Sequence, residues 1–186
     1  DAMRPGPSTG LPTRTEQGDL RCAVAMSFGD FPRAVLAPGD VEEAFYLMAH
    51  AFNLAEEYQM PVVVLSDQHL ADSYVTVPPF DLSRIEIKRG RVVSCAEAGP
   101  DYLRYRCTDD GISPRLYPGF GDGLVVTAGD EHGEDGHLIE DAETRRRMME
   151  KRMAKQRLVE ENALDPVLCG ADEPELMLIG FGSTKG

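Results

Sequence analysis

Apolar residues are unevenly clustered along this chain, and the spacing inside each cluster predicts the elements. Leu20 to Met26 reads as a short helix with Asp19 near its start. Ala34 to Ala37, set between Pro32 and Pro38-Gly39, predicts a short buried strand. Asp40 is a good N-cap, and Glu43 three residues on completes a capping-box pattern. Val41, Ala44, Phe45, Met48, Phe52 and Ala55 then recur at helical spacing and predict one buried face, with Asn53, Glu56 and Glu57 turned to water. Gln59-Met60-Pro61 ends that helix. Val62 to Leu65 is continuously apolar, as expected of an interior strand in a sheet covered on both faces. Strand, helix and strand predict a right-handed βαβ unit. Ser66-Asp67-Gln68-His69 lies just past its second strand, where open α/β sheets place ligand groups, although Asp67 itself reads first as a loop-capping carboxylate.

Beyond this point the periodicity breaks up. Tyr74 to Pro79 leaves the sheet in extended form. Phe80 to Gly123 offers only short apolar pieces, Ile85 to Ile87, Arg91 to Ser94 and Tyr102 to Tyr105, which predict an irregular excursion with hairpin strands. Leu124 to Thr127 predicts another strand. Glu140 to Asn162 carries no proline or glycine and predicts a charged helix; Ala142, Met149, Met153 and Leu158 give it a face too narrow for a core, so it is expected to lie across a domain or subunit surface. Asp165 to Pro174 reads as a linker, and Leu176 to Gly180 as a buried strand that opens a second domain. With no initiator methionine and only half a βα unit at its end, the chain reads as an interior piece of a longer polypeptide.

Composition narrows the functional classes. Acidic residues outnumber basic ones 32 to 19, for a formal charge of −13, which argues against nucleic-acid binding. The apolar runs are too short to span a bilayer. Cys22, Cys95, Cys107 and Cys169 form no CxxC or metal-finger spacing, so plain thiols in a reducing cytoplasm are expected.

Two polar concentrations carry the candidate chemistry. Gly6 to Asp19 holds three glycines, two prolines and three threonines, with Leu11 its one large apolar side chain. Such a loop suits close approach to an anionic ligand and reads equally as an ordinary surface loop. Glu131, His132, Glu134, Asp135 and His137 have ligand chemistry without a fixed helical spacing, so a hydrogen-bonded turn is favoured over a metal site. Gly180 to Gly186 has a phosphate-loop flavour but lacks the G-x-x-x-x-G-K-S/T spacing.

Together these motifs resemble the alpha subunit of the 2-oxoacid:ferredoxin oxidoreductases, closest to the 2-oxoglutarate type. The resemblance rests on Arg4 to Asp19, Ala51 to Val63, Leu65 to Asp72, Asp110 to Arg115, Gly129 to His137, Lys151-Arg152 and Gly182 to Gly186, which follow the family's order over nearly the whole chain. Phe28 departs from it, since many relatives carry histidine before Gly-Asp.

The resemblance implies an α/β fold. Residues 1–75 are expected to be the C-terminal part of a Rossmann-like, parallel-sheet domain on the pyrimidine side of thiamine diphosphate, and 76–139 an irregular excursion. Residues 140–162 are then a surface or interface helix, 163–174 a linker, and 175–186 the first strand of a transketolase C-terminal-like domain. The implied reaction is oxidative decarboxylation of a 2-oxoacid to acyl-CoA and CO2, with electrons passed to ferredoxin. Thiamine diphosphate and Mg2+ are implied as cofactors shared with a beta subunit that also holds an iron–sulfur cluster, and coenzyme A as co-substrate. The partners implied are that beta subunit, further small subunits and ferredoxin, in a cytoplasmic hetero-oligomer without nucleic acid or membrane. The family's catalytic glutamate is expected before Asp1, so no catalytic or metal-binding residue is assigned here. Arg4 is implied as the substrate residue, holding the 2-oxoacid C1 carboxylate beside Ser8, Thr9 and Thr13. Glu16, Asp19, Asp67 and His69 are near-site residues with open roles. The alternatives are another specificity (pyruvate, a branched-chain acid or indolepyruvate), a related thiamine enzyme that transfers no electrons to ferredoxin, and a non-catalytic module that keeps the fold.

Overall fold

A computed structural model describes residues 1–7, 11–12 and 14–185. The chain divides into two compact units, one built from Asp1–Leu54, Pro61–Ile87 and Ala163–Gly186, the other from Ala55–Met60 and Lys88–Asn162. The expected excursion and the charged helix therefore share a unit, while residues 76–87 stay with the first.

In the first unit, β1 (Ala2–Met3), α1 (Leu20–Ala25), β2 (Ala34–Leu36), the start of α2 (Val41–Tyr58), β3 (Val62–Val64), β4 (Ser66–Asp67) and α3 (Gln68–Ala71) follow in order. β2 pairs parallel to β3 from Ala34 opposite Val62 to Leu36 opposite Val64, which is the βαβ pairing expected. One step further, β4 pairs parallel to β1, with Ala2 opposite Ser66 and Met3 opposite Asp67. The segment 62–67 thus uses one half for β2 and the other for β1, and Leu65 between them is fully buried with Met3 and Ala23. Two residues of β1 are too few for any periodicity to reveal, so this strand was not foreseen.

The capping box at α2 forms. Asp40 Oδ1 accepts from Glu43 N at 2.8 Å, and Glu43 Oε2 reaches back to Gly39 N at 2.8 Å. Lys185 joins it, donating to Asp40 Oδ2 at 2.9 Å and to Glu43. The lysine with phosphate-loop flavour is therefore engaged by two carboxylates, inside a short helical turn over Gly182–Lys185. The expected buried face of α2 is displaced: Ala51 and Leu54 are buried, whereas Met48 and Phe52 are 45% and 67% exposed. Apolar residues also stand at Ala51 and Leu54, and packing buries these two most deeply. Nor does the polar side all face water, since Asn53 donates to Glu86 O at 2.7 Å and Glu56 pairs with Arg115. Leu176 to Gly180 forms no strand; Leu176, Leu178 and Ile179 are at least 77% exposed, so apolar content there was read as burial that the described residues do not provide.

The second unit has little regular structure besides the last turn of α2 and α4 (Ala142–Glu161). Among the described residues, the strands expected at 85–87, 91–94, 102–105 and 124–127 are absent, with single bridges at Val92–Arg115 and His132–Leu138 in their place. Side-chain bonds to the backbone substitute for ladders. Tyr102 Oη donates to Pro114 O at 3.0 Å and accepts from Leu116 N at 2.8 Å, and Ser113, fully buried, donates to Arg106 O at 2.9 Å. Gln59 donates to Ser113 O at 2.6 Å and accepts from Arg104 at 3.1 Å. Ala98, Tyr102 and Leu116 form the apolar centre, with Val93 and Val125 against it.

α4 begins at the N-cap Asp141, whose carboxylate accepts from Thr144 N at 2.8 Å. Its buried face is Met148, Lys151, Lys155 and Val159, not the narrow stripe expected. Ala142 and Met153 are exposed instead. The spacing was helical, but two members of the packed face are lysines, which an apolar pattern cannot count.

Asp110 anchors the Thr108–Gly111 turn. Burial works to raise its carboxyl, but bonds from Arg91, Ile112 N–H and the Thr108 hydroxyl outweigh this and hold it at about 2. A depressed folded-state value means stability is present above the ordinary carboxylate range and is lost as pH falls from about 4 towards 2. Asp110→Asn is expected to flatten this acid branch, read as the opening free energy of the second unit's amides from hydrogen exchange against pH; an unchanged branch refutes the assignment.

Candidate functional site

A cavity of about 530 Å³ opens in the first unit, lined among the described residues by Arg4, Asp19, Cys22, Ala23, Met26 and Val63, with Pro5 to Pro7 along one side. Its floor follows from the elements above. Met3 is buried and fixed by β1–β4 pairing, so the next residue, Arg4, leaves the sheet at a determined point, and Pro5 restricts the backbone after it. α1 contributes Cys22, and Met26, four residues on, caps its end. Arg33 holds the end of α1 by donating to Ala23 O at 3.2 Å and Met26 O at 2.8 Å. Val63 enters from β3.

The structure thus brings Arg4 and Asp19 together and leaves other candidates elsewhere. Asp67 is buried at 1% exposure and fully engaged, accepting from Leu70 N at 3.0 Å and from the Ser183 hydroxyl, so it is a helix cap tied to the 182–185 turn. Glu16 and His69 are exposed and do not line the cavity. Ser8, Thr9, Thr13 and Gly186 lie outside the described residues. Cys22, Ala23, Met26 and Val63 were missed, because each reads as ordinary core and only the fold shows that they face a common space.

The chemistry of this lining fits an organic ring carrying a negative group. The volume lies within the roughly 300–1,000 Å³ usual for small-molecule sites, and apolar walls with few polar groups orient a ligand while excluding water. Among the described residues no group of three or more His, Cys, Asp or Glu side chains is placed to hold a metal ion. In the acidic loop, Glu131 accepts two bonds from Arg152, at 2.9 and 2.7 Å, and also pairs with Arg145. Those arginines, the Arg152 hydrogen bond foremost, hold its carboxyl below the ordinary range against burial. Glu134 accepts from Cys107 N at 2.6 Å and pairs with Arg147 at 3.2 Å.

The family profile described as pyruvate flavodoxin/ferredoxin oxidoreductase, thiamine diphosphate-binding, matches residues 1–151. The chain belongs to this family. As such it has the thiamine-diphosphate-binding domain of these oxidoreductases, with its parallel strand pairs. The alpha subunit of 2-oxoacid:ferredoxin oxidoreductase 2 from Aeropyrum pernix is 46% identical over 98% of this chain and 29% of its own length. 2-Oxoglutarate synthase subunit KorA from Methanothermobacter thermautotrophicus is 37% identical over 74% of the chain and 35% of its own. The 2-oxoglutarate:ferredoxin oxidoreductase of Magnetococcus marinus, solved with 2-oxoglutarate, coenzyme A and succinyl-CoA bound, superposes with a TM-score of 0.81 at 38% identity. That match covers 89% of this chain and 28% of the solved one, so the chain spans under a third of that protein's length. Among the described residues no helix is long and apolar enough to cross a membrane.

Proposed function

We propose that this chain is part of the alpha subunit of a 2-oxoglutarate:ferredoxin oxidoreductase. The observation that carries this reading is the match to the Magnetococcus marinus enzyme, at a TM-score of 0.81 and 38% identity. The reaction converts a 2-oxoacid, coenzyme A and two oxidised ferredoxins to acyl-CoA, CO2, a proton and two reduced ferredoxins. Thiamine diphosphate, with Mg2+ held largely by a beta subunit that also carries the iron–sulfur cluster, supplies a carbon nucleophile and an electron sink for decarboxylation. This chain's residues bind and orient. Arg4 presents its guanidinium fork to the C1 carboxylate, with Ser8, Thr9 and Thr13 from the same loop beside it. Ala23, Met26 and Val63 form the apolar wall beside this contact. Asp19 and Glu16 organise the loop. The enzyme is a cytoplasmic hetero-oligomer.

The test is reduction of viologen by the full-length protein assembled with its beta subunit, given thiamine diphosphate, Mg2+ and coenzyme A, across a panel of 2-oxoacids. Coenzyme A-dependent turnover, fastest with 2-oxoglutarate, is expected. A preference for pyruvate, 2-oxoisovalerate or indolepyruvate would keep the reaction and replace the substrate. No reduction with any acid by a cofactor-loaded complex would leave the non-redox or non-catalytic readings.

A further inference from the structure

We propose that Arg104, His132, Lys151 and Lys155 form a binding site for a phosphate group, inside the second unit and apart from the cavity at Arg4. These side chains, with Tyr105 and Arg152, line a cavity of about 150 Å³. Lys151 and Lys155 are only 8% and 7% exposed and stand four residues apart on the buried face of α4. Placing two like charges side by side in such a position is costly unless something negative offsets them. No carboxylate among the described residues pairs with either ammonium. Lys151 donates to Tyr105 O at 2.8 Å and Lys155 to Gln59 O at 3.0 Å, each a neutral acceptor. An ammonium has three donors, so each retains two for a ligand.

The remaining walls share this character. Arg104 bonds Gln59 Oε1 at 3.1 Å and lies over the Tyr105 ring, 4.8 Å from its centre. His132 packs on the same Tyr105, with ring centres 3.8 Å apart. Its Nδ1 is 3.1 Å from Gly133 O, an acceptor, so Nδ1 carries the proton. Arg152 is matched by Glu131, which Arg145 also shares, so that trio adds no negative charge to the cavity. Glu134 attracts Lys151 but is itself paired with Arg147, and burial pushes the nearby Cys107 thiol up.

Size decides what can enter. At about 30 Å³ per water, 150 Å³ holds roughly five waters, enough for a tetrahedral oxyanion but below the roughly 300 Å³ at which whole small-molecule sites begin. The phosphate is either free or the end of a larger ligand whose body lies outside. Its charge is the missing counter-ion of the two lysines. Burial first, then nearby cations (Arg104 and Arg152 at both, Lys151 at Lys155), lowers both lysines to about 8, with Cys107 and Glu134 opposing at Lys151. An anion therefore binds best while they are protonated and loses affinity as pH rises through that value.

The test uses the full-length protein in its complex and titrates orthophosphate by calorimetry, with 31P line broadening as a second readout. Saturable binding is expected, weakened at least about tenfold between pH 7.5 and pH 9.5, over which orthophosphate does not lose negative charge. Lys151→Met with Lys155→Met is expected to abolish it. Arg104→Gln, which leaves the α4 face intact, is expected to weaken it about tenfold, and it carries the test if the double variant fails to fold. Competition by coenzyme A would show that the phosphate arrives on that ligand, and its absence that a free oxyanion is bound. The coenzyme A arm rests on the function proposed above, whereas the orthophosphate arm stands without it. No saturable binding to the wild type, or binding unaltered in folded variants, overturns the proposal.

Discussion

Replacing Arg4 with alanine in the full-length, cofactor-loaded complex is expected to reduce kcat/KM for the 2-oxoacid by about 30- to 900-fold. The estimate follows from the contact type: a charge-assisted bond lost from a desolvated site costs roughly 2–4 kcal/mol, and each 1.36 kcal/mol is a decade. Arg4 has this weight because its position is fixed by neighbours with other duties. Met3 is locked in the core, β1 is hydrogen-bonded to β4, and Pro5 follows. Arg4→Lys keeps the charge and loses the planar fork, so an intermediate loss is expected. The assignment also predicts how the loss is divided. If Arg4 holds the carboxylate equally in ground and transition states, KM rises and kcat is spared. Unchanged kinetics in Arg4→Ala would remove Arg4 from the substrate site, and the reaction would then need another carboxylate partner.

What the sequence revealed depended on whether a residue's role is local. The Asp40–Glu43 cap, the β2–α2–β3 unit and the extent of α4 rest on neighbours within a few positions, and all three were legible. β1 was not, because two residues acquire their meaning only from Ser66 and Asp67, which stand 64 positions away. Asp67 falls on both sides of that line: its capping role, with Leu70 N–H three residues on, is the reading the sequence favours, while Ser183 stands 116 positions away and only the fold brings it up. The irregular second unit was hardest, since Tyr102, Ser113 and Gln59 replace ladder bonds with side-chain bonds that no periodicity records. In α4 the spacing of the buried face was present, but Lys151 and Lys155 counted as solvent positions. That misreading and the proposed phosphate site have one origin, a charged residue placed where an apolar one would pack.

Gly111→Ala is expected to loosen the second unit severely, because its backbone lies against α4. Gly111 has φ of +74°, and an added Cβ would stand 2.2 Å from Lys151 O, a backbone atom that cannot turn aside. The left-handed conformation costs about 1–2 kcal/mol for a residue with a Cβ, and forced repacking adds about 1–3. A loss of about 3 kcal/mol corresponds to over a hundredfold faster exchange of the α4 amides that open with this unit. Hydrogen exchange on the full-length complex reads this locally, which a single unfolding midpoint of a multidomain protein does not. Gly119→Ala separates the two causes: φ there is +86°, yet nothing lies within 4 Å of the added carbon. It therefore carries only the conformational cost, about 1–2 kcal/mol, and spares α4. If both variants leave α4 equally protected, the close approach of the Thr108–Gly111 turn to Lys151 is not what seats the helix. If Gly111→Ala alone exposes it, the same contact that seats α4 also sets the two lysines in their cavity, and phosphate binding is expected to be lost with it.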